Sequence, residues 1–435
     1  MSETKLKRIH FILLFCVMVL LPLVMYPDGT RFNIARSKSL VLALIMIIYL
    51  ITCFKSKSFA LELEAVENKF LWIYVLLLVI ASFFAHNVAR AFLGSPARLD
   101  GILSFLGYIT AYYLARRIGV RAILLKAAMI SSLLVCGLAI LQFFELDPGF
   151  LQLYPNSWKG FAFSTFGNPN FLASYLVLML PVGLYFYFYK NKWWGLLSYA
   201  VVFFSLLCTE TRGAWIGAAF GISTLLIFML LQRRKISNRK VLVVVVLSLL
   251  VMVLFSFSSD HALLKELFSL YDDVETVITH PEDAKNAGTN RFYVWQKSMQ
   301  LIREKPLLGF GPENMSYAMR EHFHDEIVKE FGKYLNWDKA HNEYLNIAVS
   351  SGIPSLLVYL GFVGTCLIKG FSRRSNPLFM LLLSMAVGYL VQAFFNIQMV
   401  SVYYMFFVVL GFLSGRIKKK RKLYRLPSSF KVTSA

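Results

Sequence analysis

Residues 241–257 read VLVVVVLSLLVMVLFSF, and from Ser258 to Glu343 the chain turns polar, closing on Ala340-His341-Asn342-Glu343 as the next apolar run begins. The first stretch is long and apolar enough to cross a bilayer as a helix, which takes about 20 residues. The second is too long for an ordinary connection. A segment of that size on a membrane bundle is where binding and chemistry concentrate.

Working outward in both directions, further apolar runs start near Ile9, Ser39, Phe70, Gly101, Ala122, Phe171, Trp194, Gly213, Glu343, Leu378 and Met399. Together with Val241 they predict about twelve spans. With 57% hydrophobic residues and a mean hydropathy of +0.60, the 435 residues lack the polar surface a soluble globule needs. The expected fold is therefore an all-α integral membrane protein of about 12 transmembrane helices, with one large helical loop between the ninth and tenth. The expected divisions are an N-terminal bundle over 1–257, the loop over 258–342, the last spans over 343–415 and a basic tail over 416–435.

Lys and Arg are retained on the cytoplasmic side of short loops. Lys5, Lys7 and Arg8, then Arg116, Arg117 and Arg121, then Arg233, Arg234, Lys235, Arg239 and Lys240, fall in alternate loops. This predicts both termini inside and the long loop outside. The net charge of +21 is spread over these loops and not gathered in one stripe, which argues against a nucleic-acid partner. The tail from Arg416 reads as a stop signal, with anionic membrane lipid as its alternative partner. Cys16, Cys53, Cys136, Cys208 and Cys366 lie in or beside apolar runs, so neither a disulfide framework nor a thiolate metal site is expected. The first apolar run lacks a small-x-small cleavage site and reads as an uncleaved span.

Inside the loop, Phe292, Trp295, Met299 and Ile302 recur at helical spacing, and so do Met315, Met319, Phe323 and Ile327. Two amphipathic helices are expected, packed as a cap, with 281–289 as the flexible part. Gly309-Phe310-Gly311-Pro312 reads as a turn, because no strand precedes it and Pro306 breaks the helix before it. His322-x-His324-Asp325 looks metal-like, but residues two apart on a helix diverge, so a solvated face is expected. The adjacent pair Asp272-Asp273 is not spaced as a metal-bound sugar-nucleotide motif. No metal and no cofactor are expected.

Three residues carry the chemical hypothesis. Arg212 stands where one apolar run stops and the next begins, and an ionisable group there is functional by default. The bland alternative is snorkelling to headgroups. Arg291 heads the first loop helix; two arginines converging there would form a fork suited to a diphosphate, because guanidinium gives paired, permanent donors. His341 opens a span and has the near-neutral pKa of a general base for a hydroxyl, though it is equally a structural histidine by position alone. Asp338 would orient its ring or cap the helix. At the outer mouth, Arg98, Asn168, Asn170 and Asn342 are candidate substrate contacts. Gly213, Ala214 and Gly217 would let the helix after Arg212 pack closely.

Taken together, Gly167-Asn-Pro-Asn-Phe-Leu-Ala173, Thr211-Arg-Gly-Ala-Trp215, Asn290-Arg-Phe-Tyr-Val-Trp295, Pro306-Leu-Leu-Gly-Phe-Gly-Pro312, Ala340-His-Asn-Glu-Tyr-Leu345 and Ser351-Gly-Ile-Pro354 resemble the O-antigen ligase and polymerase family of bacterial membrane glycosyltransferases. The resemblance covers about 160–360. It implies an undecaprenyl-diphosphate-linked glycan donor taken from the extracytoplasmic side of the inner membrane, a glycan or lipid acceptor, and metal-independent transfer with inversion. On this chain it makes Arg212 and Arg291 the diphosphate-binding arginines and His341 the activator of the acceptor hydroxyl. Glu210, two residues before Arg212, departs from the expected small neutral residue. The rival readings are a flippase for the same lipids, disfavoured by the lack of an internal repeat, a protein O-oligosaccharyltransferase within the enzyme class, and a peptidoglycan polymerase.

Overall fold

The structure is a computed structural model. It describes residues 1–25, 27–28, 31–32, 34–56, 62–96, 98–146, 160–232, 237–259, 265, 269, 279 and 290–415. The expectations for 281–289, Asp272-Asp273 and the tail from Arg416 lie outside them.

A helix forms within two turns of every expected start. They are α1 (Glu3–Phe15, continued as far as Leu23), α2 (Ile34–Lys55), α3 (Val66–Phe83), α4 (Val88–Leu93), α5 (Ile102–Ile118), α6 (Ala122–Phe143), α7 (Pro169–Lys190), α8 (Trp193–Leu207), α9 (Arg212–Leu231) and α10 (Asn238–Ser258). Then come α11 (Arg291–Glu304), α12 (Met315–Phe331), α13 (Glu343–Phe371), α14 (Pro377–Ala393) and α15 (Tyr403–Ser414). The only strands among the described residues are the short antiparallel pair Pro27–Asp28 and Arg31–Phe32.

By length and composition eight of these helices can cross a membrane, and α8, α14 and α15 are shorter apolar helices. The protein is thus a multi-pass membrane protein, with eight qualifying spans among the described residues where about twelve were expected. For three of the four short helices the shortfall has a physical reason. The helices α5, α14 and α15 are short but almost wholly buried, sheathed by the longer ones. An inner helix faces protein on all sides, so its length is set by its neighbours and not by the bilayer.

The close approach expected after Arg212 is present. A Cβ on Gly217 would lie 2.6 Å from the carbonyl oxygen of Gly388. Ser384 Oγ donates to the Gly221 carbonyl at 2.6 Å, so α9 and α14 meet backbone to backbone. That contact fixes where Arg212, the first residue of α9, emerges.

The helix α13 is broken at Gly352, whose φ of 84° and ψ of 168° are not helical. Pro354 has no N–H for the Ser350 carbonyl, and the break takes the Ile353 N–H from Val349. The turn 306–312 repairs all three losses. Gly311 N–H donates to Ser350 O, Phe310 N–H to Val349 O, and Ile353 N–H to Pro306 O, each at 2.8 Å. The expected turn therefore does more than reverse the chain: it docks the α11–α12 cap onto a spanning helix.

Candidate active site

Arg291 starts α11 behind Asn290, which sits in the left-handed conformation at φ 65°. One face of α11 buries Val294, Ser298 and Leu301; Leu301 and Val294 join Met315, Met319 and Ala340 in a small core that also takes in Val349 of α13. Arg291 is thereby placed at the bundle side of the cap. Burial, and after it the positive field of Arg212, lower the proton affinity of its guanidinium. The two guanidinium groups are therefore near enough for their like charges to be felt in a partly desolvated setting. Arg212 itself extends an Nη2 donor to Ser269 Oγ at 3.0 Å, and Glu210 stands before it at φ 49°.

His341 also has a left-handed backbone, φ 52°, an uncommon state for a bulky residue and one that the surroundings must hold. Its ring is half-buried, and among the described residues nothing hydrogen-bonds to it. Burial first, then Arg291 and Arg98, bring its pKa down to about 4, with Asp338 opposing. It is a neutral imidazole at physiological pH. The structure thus brings together Arg212, Arg291, His341 and Arg98, drawn from α9, α11, the segment before α13 and the α4–α5 connection.

The residues just before His341 in the chain are all committed. Asp338 is held by Arg98, Nε to Oδ2 at 2.5 Å and Nη2 to Oδ1 at 2.8 Å, while Arg98 Nη1 faces Met399 Sδ at 3.6 Å. Lys339 is buried against Glu313 and Asp100, the latter at 3.5 Å. Burial pushes the Asp100 carboxyl up to about 6, with Lys339 opposing and Glu313 adding to the rise. Tyr108 donates to its Oδ1 at 2.5 Å. Ala340 N–H donates to Asn346 Oδ1 at 3.3 Å.

Several sequence expectations change here. Asp338 neither caps α13 nor bonds to His341, because Arg98 takes both its oxygens. Arg98 in turn holds that carboxylate through Nε and Nη2. Asn342 is the cap: its Oδ1 accepts from Tyr344 N at 3.0 Å and Leu345 N at 3.1 Å, and the residue is buried. Asn168 likewise caps α7, its Oδ1 accepting from Asn170 N at 2.8 Å. Asn170 gives its backbone carbonyl to Asn396 Nδ2 at 2.9 Å. His322 and His324 turn to separate partners, Glu304 at 3.2 Å and Asp325 at 2.9 Å. No group of three His, Cys, Asp or Glu side chains among the described residues is placed to hold a metal ion.

Two parts of the site were missed. Glu343, the first residue of α13, is buried and accepts from Tyr359 OH at 2.7 Å and Tyr389 OH at 3.2 Å, with Tyr403 OH donating to Tyr359 OH at 3.0 Å. A carboxylate in an apolar span start is a readable signal. The link between α14 and α15 is the other. Phe394 and Phe395 there pack on Trp295, ring centres 5.3 and 6.5 Å apart, and Phe395 covers Gly213. They join the start of α9 to α11.

Residues 195–360 match the family model described as O-antigen ligase, a range that includes Arg212, Arg291 and His341. Two curated relatives, both from Acinetobacter baylyi, are similar to the chain. A ComP-specific O-oligosaccharyltransferase is 24% identical over 64% of this chain and 48% of its own length. A general O-oligosaccharyltransferase is 22% identical over 68% of this chain and 50% of its own. The chain spans about half the length of the curated relatives it matches.

Proposed function

From an O-antigen ligase region at residues 195–360, we propose that this membrane protein transfers a glycan from an undecaprenyl-diphosphate donor to an acceptor hydroxyl on the extracytoplasmic face. About twelve spans, both termini inside and the cap outside complete the topology of this reading. The observation that supports it is the approach of Arg212 and Arg291, close enough for their charges to be felt, beside a neutral histidine whose ring no described residue hydrogen-bonds.

The chemistry follows from those charges. The acceptor oxygen forms a bond to the anomeric carbon as the bond to the diphosphate oxygen breaks, and its proton passes to His341. The electron pair leaves with the lipid diphosphate, whose charge Arg212 and Arg291 absorb. Attack opposite the leaving group inverts the anomeric centre. A diphosphate gripped by two guanidinium forks needs neither a protonated acid nor a metal ion opposite it.

The test is reconstitution in vesicles with a lipid-diphosphate oligosaccharide and a hydroxyl acceptor, in the presence of a chelator. Product with a free lipid diphosphate is expected. Strict dependence on a divalent cation, or movement of the lipid across the vesicle without transfer, contradicts the reading and favours the flippase.

A further inference from the structure

Across 338–342 every polar side chain except one has a partner. Asp338 is gripped through both oxygens by Arg98, Lys339 by Glu313 and Asp100, and Asn342 by the first turn of α13. The exception is the imidazole of His341. Asp338, three residues away, is the acidic group whose field reaches it. A carboxylate beside a histidine ordinarily takes the ring as its partner. Here a bidentate fork holds it back, and it uses two of Arg98's three nitrogens, with the third turned to Met399.

We propose that Arg98 is a positioning residue: by locking Asp338 it keeps that carboxylate off His341 and leaves the imidazole free for the acceptor hydroxyl. This rests on His341 acting as the base in the function proposed above. The lock also reaches across the fold, since Arg98 belongs to the α4–α5 connection, whose Ser95 N–H donates to Glu313 at 3.2 Å and whose Asp100 meets Lys339. The segment bearing His341 is thus pinned on both sides, as its left-handed backbone requires. The charged groups around the ring are Arg291 from α11, with Arg212 of α9 beyond it, and Arg98 from the α4–α5 connection. Asp338 and Lys339 lie on its own segment, Asp100 and Glu313 beneath that, and Glu343 at the start of α13.

The experiment is a nuclear magnetic resonance titration of the full chain in detergent with labelled histidine, the His341 signal assigned by its loss in H341Q. In R98Q the released carboxylate pairs with the ring, and the His341 midpoint rises by about one pH unit or more. In R98Q with D338N the midpoint falls back, and the transfer rate at neutral pH recovers at least tenfold over R98Q alone. An unchanged midpoint in R98Q, or a double variant no better than the single one, overturns the proposal, because a purely structural anchor is not rescued by removing its partner. Should R98Q not fold, D338N carries the test: the freed guanidinium then faces the ring and lowers its midpoint, and an unchanged midpoint overturns the lock. The titration needs no glycan. A midpoint that moves as stated in a protein with no transfer activity keeps the lock and sinks the proposed function.

Discussion

The carbonyl of Leu307 presses on Gly352 so closely that a Cβ at Gly352 would collide with it. This is where the cap meets the membrane bundle: the break in α13 is completed by backbone bonds from the turn 306–312. A spanning helix broken without such partners would leave carbonyls unsatisfied in hydrocarbon.

Gly352→Ala therefore meets both a forbidden backbone region and a collision. The expected loss is on the order of 1–3 kcal/mol for the backbone alone, read as a lower melting temperature in detergent and as easier proteolysis of the cap. A variant as stable as the parent contradicts the docking.

Arg212→Lys and Arg291→Lys keep the charge but not the paired donors. Each is expected to lower kcat/KM by tenfold or more, about 1.4 kcal/mol of transition-state stabilisation. Steady-state transfer assays check this, and full rate in both variants contradicts a fork.

The pKa of His341, lowered to about 4, sets a sign. The base form is present above that value and is lost as pH falls through it, so the acid limb of kcat/KM lies near 4 and not at the ordinary 6.5. Folding follows the same window: between about 4 and 6.5 the unfolded chain binds the extra proton, so this residue's contribution to stability is lost as pH falls across it. A diphosphate bound at Arg291 cancels part of the field that lowers the value. The His341 midpoint should then rise when inorganic diphosphate is added, and a midpoint insensitive to it separates the two arginines from the base.

Lys339→Met leaves Asp100 and Glu313 buried without their cation. Breaking such a group costs about 3–5 kcal/mol. Thermal unfolding should show the loss, and Lys339→Met combined with Asp100→Asn should recover part of it.

What the sequence makes legible is local. The apolar runs mark α1–α3, α5–α10 and α13–α15, and the spacing of Phe292 with Trp295 and Met315 with Met319 marks α11 and α12, because each signal lies within one element. The candidacy of Arg212, Arg291 and His341 comes from the same kind of local boundary. The Arg98–Asp338 lock joins residues 240 positions apart, and Lys339 reaches Asp100 across 239. No spacing rule spans such distances, so Arg98 reads as a substrate contact and Asp338 as a partner of His341 until the fold sets them together. Asn168 and Asn342 were legible as caps from the Pro169 and Glu343 that follow them. Their place at the outer mouth gives them a substrate reading as well.

In the proposed reaction His341 removes the acceptor proton while the arginines hold the donor. The most direct measurement is single-turnover transfer by His341→Ala with donor binding followed in parallel. Donor affinity near that of the parent is expected, with a transfer rate lower by about a hundredfold to ten-thousandfold. Transfer at the parental rate by a variant that binds donor normally would contradict it.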